Sequence, residues 1–179
     1  MNSSKAILSI IVACAMTVPA LADWDPGDGH KMHFPQLPNL TETGMDVLNS
    51  PYDPDTGVAP YAKFLADDFV CTRTGPITDI HVWGSWLDDV NPDVTAKTFQ
   101  VGIYSNIPEG PDNPYSTPGE LLWQARLQPT ERVYKRDVQE AFFDPNQYDP
   151  GANDGIIGSD TIVWQYNFDI PAEEAWRQQ

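Results

Sequence analysis

Asp79, His81, Trp83 and Ser85 occupy alternate positions of the run Asp-Ile-His-Val-Trp-Gly-Ser-Trp, so on an extended chain they would project from one face. A carboxylate, an imidazole, an indole and a hydroxyl in a row suit sugar recognition. The ring stacks on an apolar sugar face while the acid accepts hydroxyl protons. The competing reading is that the rest of the chain covers this face, with His81 and Asp79 bonded to one another or to a loop, because buried polar groups pair within the fold. A second set is Asp67-Asp68, with Glu120, Asp169 or Asp79 as partner acid. Glycoside hydrolysis needs two carboxyls about 5 to 9.5 Å apart. Consecutive strand residues face opposite ways, so Asp67 and Asp68 cannot supply both. The chain has 26 acidic residues, and acids usually lie at the surface, so no catalytic residue is assigned.

Two loops carry oxygen ligands of the kind calcium takes: Asp53 and Asp55 in Asp-Pro-Asp-Thr-Gly, and Asp144, Asn146 and Asp149 in Asp-Pro-Asn-Gln-Tyr-Asp. Neither has the full EF-hand spacing, and an ordinary turn in which Asp bonds its own backbone accounts for the same residues. Calcium is thus the one cofactor the sequence suggests. His30, His33 and His81 lack the cysteines or helical frame of a transition-metal site. No nucleophile elbow, phosphate loop or dinucleotide fingerprint occurs.

The elements that must position these groups read as β-strands. Segment 23–59 is broken by Pro26, Pro35, Pro38, Pro51 and Pro54, among others, and predicts an irregular N-terminal stretch. Over 60–179 the pattern has period two. In 77–86, Ile80, Val82, Gly84 and Trp86 are expected on the core face, opposite the polar-aromatic one. Runs 98–107, 121–127 and 161–170 repeat the alternation, the last with Ile162, Trp164, Tyr166 and Phe168 together. The polar stretch 132–138 suits an edge strand, extended by Ala141-Phe142-Phe143. Stretches 108–119 and 144–158, rich in Pro, Asp, Asn and Gly, predict loops, and 171–176 predicts a short helical turn. Many strands without intervening helices argue for one all-β domain, an antiparallel β-sandwich of jelly-roll or immunoglobulin-like type.

Composition narrows the partners. A formal net charge of −16 makes nucleic acid and anionic membrane surfaces poor ones. Residues 1–22 combine Lys5, an apolar run and the ending Ala20-Leu21-Ala22, which reads as a signal peptide cleaved after Ala22. The expected location is secreted, extracellular or periplasmic, with no membrane insertion after cleavage. Cys14 leaves with the signal, and Cys71 then stands alone as a small hydrophobe.

The run Lys31-Met32-His33-Phe34-Pro35-Gln36-Leu37-Pro38, then Leu65-Ala66-Asp67-Asp68-Phe69 and the Asp79–Trp86 stretch, resembles an uncharacterised domain of secreted proteins from environmental bacteria. Ile103-Tyr104-Ser105-Asn106-Ile107-Pro108, Pro118-Gly119-Glu120-Leu121-Leu122-Trp123 and Val163-Trp164-Gln165-Tyr166-Asn167-Phe168 are similar to its later segments. Such proteins often end in a hydrophobic cell-surface sorting tail, and the resemblance implies a further strand beyond Gln179. It implies secretion and a β-sandwich, and it carries over no reaction. The expected function is a non-enzymatic module of the envelope or exterior, binding a glycan or a surface protein, or purely structural. The alternative is a secreted carbohydrate-active enzyme using paired carboxylates.

Overall fold

The computed structural model describes residues 34–41, 43–49, 64–70, 74–92 and 97–178. The expected signal segment 1–22, much of 23–59, His30, His33, Asp53, Asp55 and Cys71 lie outside the described residues. The strands are β1 (Met45–Val47), β2 (Gly75–Pro76), β3 (Asp79–Gly84), β4 (Phe99–Ile107), β5 (Thr117–Leu127), β6 (Thr130–Asp149), β7 (Asn153–Asp169) and β8 (Arg177–Gln178). The main sheet runs β1-β6-β7-β3, and β4-β5 and β2-β8 form two further pairs. Among the described residues only the β1–β6 pairing is parallel. Phe99 of β4 packs against Tyr166 and Phe168 of β7 with ring centroids 5.2 and 5.4 Å apart, so the β4–β5 hairpin forms a second layer on the main sheet. This is the expected all-β, sandwich-like class.

Strand β7 is the centre of the core. Tyr166 and Phe168 are buried on one face, and Val163, Gln165 and Asn167 are buried on the other. A central strand covered on both sides must pair its inward polar groups, and these do. Both faces of β3 are partly covered: Ile80 and Val82 stand opposite the buried Phe168 and Tyr166, with Val82 still 41% exposed, while on the polar face the His81 side chain is only 5% exposed. His81 stands opposite Asn167, so the polar face of β3 continues the covered polar face of β7.

Elsewhere the loop expectation changes most. The loop foreseen over 144–158 is mostly ladder, closed by a turn in which Ala152 N–H donates to Asp149 O at 2.9 Å. Its turn-forming residues act inside the hairpin instead. Pairing jumps from Phe143↔Ile156 to Tyr148↔Asp154, and the surplus on β6 folds as a bulge. The tail makes one turn, with Glu174 and Ala175 N–H donating to Pro171 O, before β8 pairs with β2. The 64–70 stretch forms no strand and is exposed. The polar stretch 132–138 belongs to β6, whose pairing with β1 covers only Ala141 to Phe143.

A second β6 bulge lies between the pairs Arg136↔Ile162 and Glu140↔Asp160, with Asp137 at φ 59°. Asp89, itself at φ 57° in the 3-10 turn Leu87–Asp89, fills the gap. Its carboxylate accepts from Thr161 N–H (2.9 Å), Thr161 Oγ1 (2.7 Å) and Ile162 N–H (3.0 Å). Burial pushes its pKa upward, but these three bonds outweigh that and hold it below the usual carboxylate range. Asp89→Ala leaves two strand N–H groups without an acceptor and should cost about 2 kcal/mol in urea unfolding. A loss under about 0.5 kcal/mol, the level of an ordinary surface change, would refute that role.

Candidate functional site

Asp79, His81 and Trp83 share the polar face of β3, and a ladder of side chains crosses from there to β6. Arg132 donates through Nε (2.9 Å) and Nη2 (2.6 Å) to Gln165 Oε1. Gln165 Nε2 donates to Asn167 Oδ1 at 2.9 Å. His81 Nδ1 meets that same oxygen at 2.7 Å, and its Nε2 meets Asp79 Oδ2 at 3.1 Å. Both imidazole nitrogens therefore face acceptors, an arrangement that favours the doubly protonated ring although the Gln165 amide also lies 3.4 Å from Nδ1. Burial works against that charge, but the bonds to Asp79 and Asn167 and the charges of Asp79 and Asp169 overcome it, so the His81 pKa is raised. Asp169, opposite Asp79, is pushed up by burial and by Asp79.

The sign for stability follows. A histidine whose pKa is higher folded than unfolded contributes fully below about pH 6.5, and the contribution fades as pH rises through the folded value. The midpoint of thermal unfolding should fall between about pH 6 and 8, and His81→Gln should remove that part of the fall. Equal pH profiles for the two proteins would refute the charged ladder.

Trp83 turns its ring edge-on to Tyr134, with centroids 5.8 Å apart, and its Nε1 is buried without a partner. Ser85 lies beyond β3, beside Asp160, and so parts company with the other three. In the second expected calcium loop, Asp144 accepts from Asn146 N–H at 2.9 Å and from Gln147 Nε2 at 3.2 Å, a local turn, while Asp149 stands in the ladder opposite Asn153. Asp67 accepts from the neighbouring Asp68 N–H.

The carboxylates that do converge were not singled out by sequence. Asp46 of β1, Glu140 of β6 and Asp160 of β7 bring oxygens within 4.8 Å of one another. Glu140 and Asp160 are direct cross-strand partners. Burial and the charge of Asp46 push Glu140 up to about 7; burial, Asp46 and Glu140 push Asp160 up to about 7. The one trace in the sequence is Glu140 between Val138 and Phe142 at inward-facing positions, an acid where a hydrophobe would be routine. A shallow concavity lined by Glu140, Ile156, Gly158 and Ser159, among others, borders the cluster.

The outer face of the β4–β5 hairpin is different in character. Tyr104 is 44% exposed, and its phenol lies back over Gly102: a Cβ at Gly102 would stand 2.9 Å from Tyr104 Cε2 and 3.4 Å from its Oη. Register pairs Gly102 with Gln124, Gln100 with Arg126 and Tyr104 with Leu121, all exposed apart from the glycine's lack of a side chain. The hairpin thus presents a ring laid along the sheet among amide and guanidinium groups. No helix among the described residues is long and apolar enough to cross a membrane.

A family model described as a domain of unknown function (DUF7901) matches residues 32–179. No curated protein and no solved structure matches the chain.

Proposed function

The chain belongs to the DUF7901 family, and from that premise we propose that it is an exported, non-enzymatic module that binds glycans on the outer face of its β4–β5 hairpin. The observation that carries this reading is Tyr104 held over Gly102. Sugar rings stack on aromatic faces, and a ring lying along the sheet costs little entropy to engage. Gln100, Gln124 and Arg126 supply donors and acceptors beside it for sugar hydroxyls. Export is supported by the Lys5, apolar-run and Ala20-Leu21-Ala22 pattern. The non-enzymatic part is supported by burial. The converging acids Asp160 and Glu140 are 2% and 7% exposed, out of reach of a polymer's glycosidic oxygens. Asp79 is tied to His81.

The test is retention of the purified protein in affinity gels cast with a panel of neutral polysaccharides, alongside release of reducing ends. At least one polysaccharide should retain it. Tyr104→Ala should weaken that retention about tenfold, the equivalent of about 1.4 kcal/mol. Gly102→Val, which displaces the ring without removing it, should weaken retention while leaving the fold intact. Retention unaffected by Tyr104→Ala would refute the platform. Reducing ends whose release a single acid substitution abolishes would establish the carbohydrate-active enzyme instead. Retention by no glycan would leave a protein-binding or structural module.

A further inference from the structure

We infer that Asp46, Glu140 and Asp160 hold one calcium ion between β1, β6 and β7, with the Ser85 hydroxyl beside it. This goes beyond the glycan reading and does not depend on Tyr104. Three separate features carry it. Asp160 is 2% exposed, yet no N–H or cationic group bonds either of its carboxylate oxygens, and the donor beside it is the neutral Ser85 hydroxyl. Asp46 Oδ2 is buried without a partner as well. A buried carboxylate is normally paired, bonded or bound to a metal, because its desolvation is otherwise uncompensated. Here the groups closest to Asp160 are two more acids and a hydroxyl.

The ligand set points to the ion. The oxygens fall within 4.8 Å of one another, close enough to share one cation. Calcium accepts irregular sets of six to eight oxygens, whereas magnesium demands a near-ideal octahedron. All the donors are hard oxygens, which suit calcium, magnesium or manganese better than copper or zinc. The cradle is shaped at its rim: a Cβ on Gly44 would stand 2.5 Å from Glu140 Oε1, so only glycine leaves that carboxylate its place. A concavity at Glu140, lined also by Ile156, Gly158 and Ser159, brings solvent to one member of the set. The cross-strand pairing of Glu140 with Asp160, two like charges directly opposed, is unfavourable alone and becomes favourable around a divalent cation.

The site differs from the loops that sequence nominates, and the test uses that difference. The full exported chain is stripped with EGTA at pH 8 and titrated with calcium chloride or magnesium chloride, reading thermal midpoint and calorimetric heat. Calcium at about a hundred times its Kd should raise the midpoint by about 5–10 °C. Asp160→Asn should abolish the rise and, having lost an unpaired buried charge, should melt above the original chain in EGTA. Glu140→Gln should also abolish it, which keeps the test decisive if one variant folds poorly. Asp144→Asn, in the β6 bulge, should leave the rise intact. Identical melting in calcium and EGTA, with no heat of binding, would overturn the inference in favour of a proton shared among the acids. A rise that survives Asp160→Asn and Glu140→Gln, or one that magnesium matches, would overturn it too.

Discussion

Lys97→Met should destabilise the protein by about 3–5 kcal/mol, the cost of stripping one partner from a buried ion pair. Lys97 is buried, and its Nζ donates to Glu131 Oε2 at 2.6 Å and also to Asn91 Oδ1. The ammonium lies 5.2, 5.9 and 5.8 Å from the ring centroids of Trp86, Trp164 and Tyr166, within cation–π range. Trp86 in turn donates its indole N–H to the Tyr166 hydroxyl at 2.6 Å. Methionine keeps much of the volume but leaves the Glu131 carboxylate, whose side chain is only 14% exposed, without its cation beside three electron-rich rings. The cost should come from the orphaned charge and not from lost packing. Urea unfolding followed by tryptophan fluorescence should therefore find the double variant Lys97→Met/Glu131→Gln much nearer the original stability than Lys97→Met alone. If the two losses simply add, the cage contributes by shape and the ion pair is incidental.

Gly44→Ala should cost about 3 kcal/mol, at the upper end for overpacking. The added Cβ would stand 2.2 Å from the backbone carbonyl oxygen of Asn39 and 2.5 Å from Glu140 Oε1. A side-chain tip can move aside; a carbonyl inside a turn cannot. That turn is braced by Gly44 N–H donating to Thr41 O at 2.8 Å and by Asn39 Oδ1 accepting from Thr41 N–H and Oγ1. Relief of the clash has to displace Met45–Val47 from their parallel pairing with β6, and Asp46 goes with them. Gly158→Ala is the matched comparison. Its Cβ would also fall 2.5 Å from a neighbour, but that neighbour is Leu87 Cδ1, a flexible tip, so its cost should stay below about 1 kcal/mol. Equal costs at the two glycines would refute the backbone-clash account.

The strands themselves were readable from alternation. The runs over 98–107, 121–127 and 161–170 coincide closely with β4, the second half of β5 and much of β7. Local composition misled where a long-range partner intervened. The Asp-, Asn- and Gly-rich stretch from 144 to 158 has loop chemistry, yet each arm of it supplies the other with a ladder, and Gly155 at φ 79° lets the chain pass the Phe143 ring. Within the candidate site, the bond between Asp79 and His81 follows from their spacing, since i and i+2 lie on one face. Their continuation through Asn167 and Gln165 to Arg132 does not, because it depends on which strand lies beside which.

Parity along an extended chain is local stereochemistry, so the primary structure settled which side chains share a side: His81 with Asp79, Val82 with Ile80, Tyr166 with Phe168. Which side meets the interior was decided by packing alone. Burial is a property of what covers a strand, and the polar side of β3 is covered as well as the apolar one because β7 offers Asn167 and Gln165 there. The meeting of Asp46, Glu140 and Asp160 belongs wholly to tertiary structure. Three acids so far apart in the chain become neighbours only through a parallel pairing, a bulge and a cross-strand register, none of which leaves a mark in any one segment.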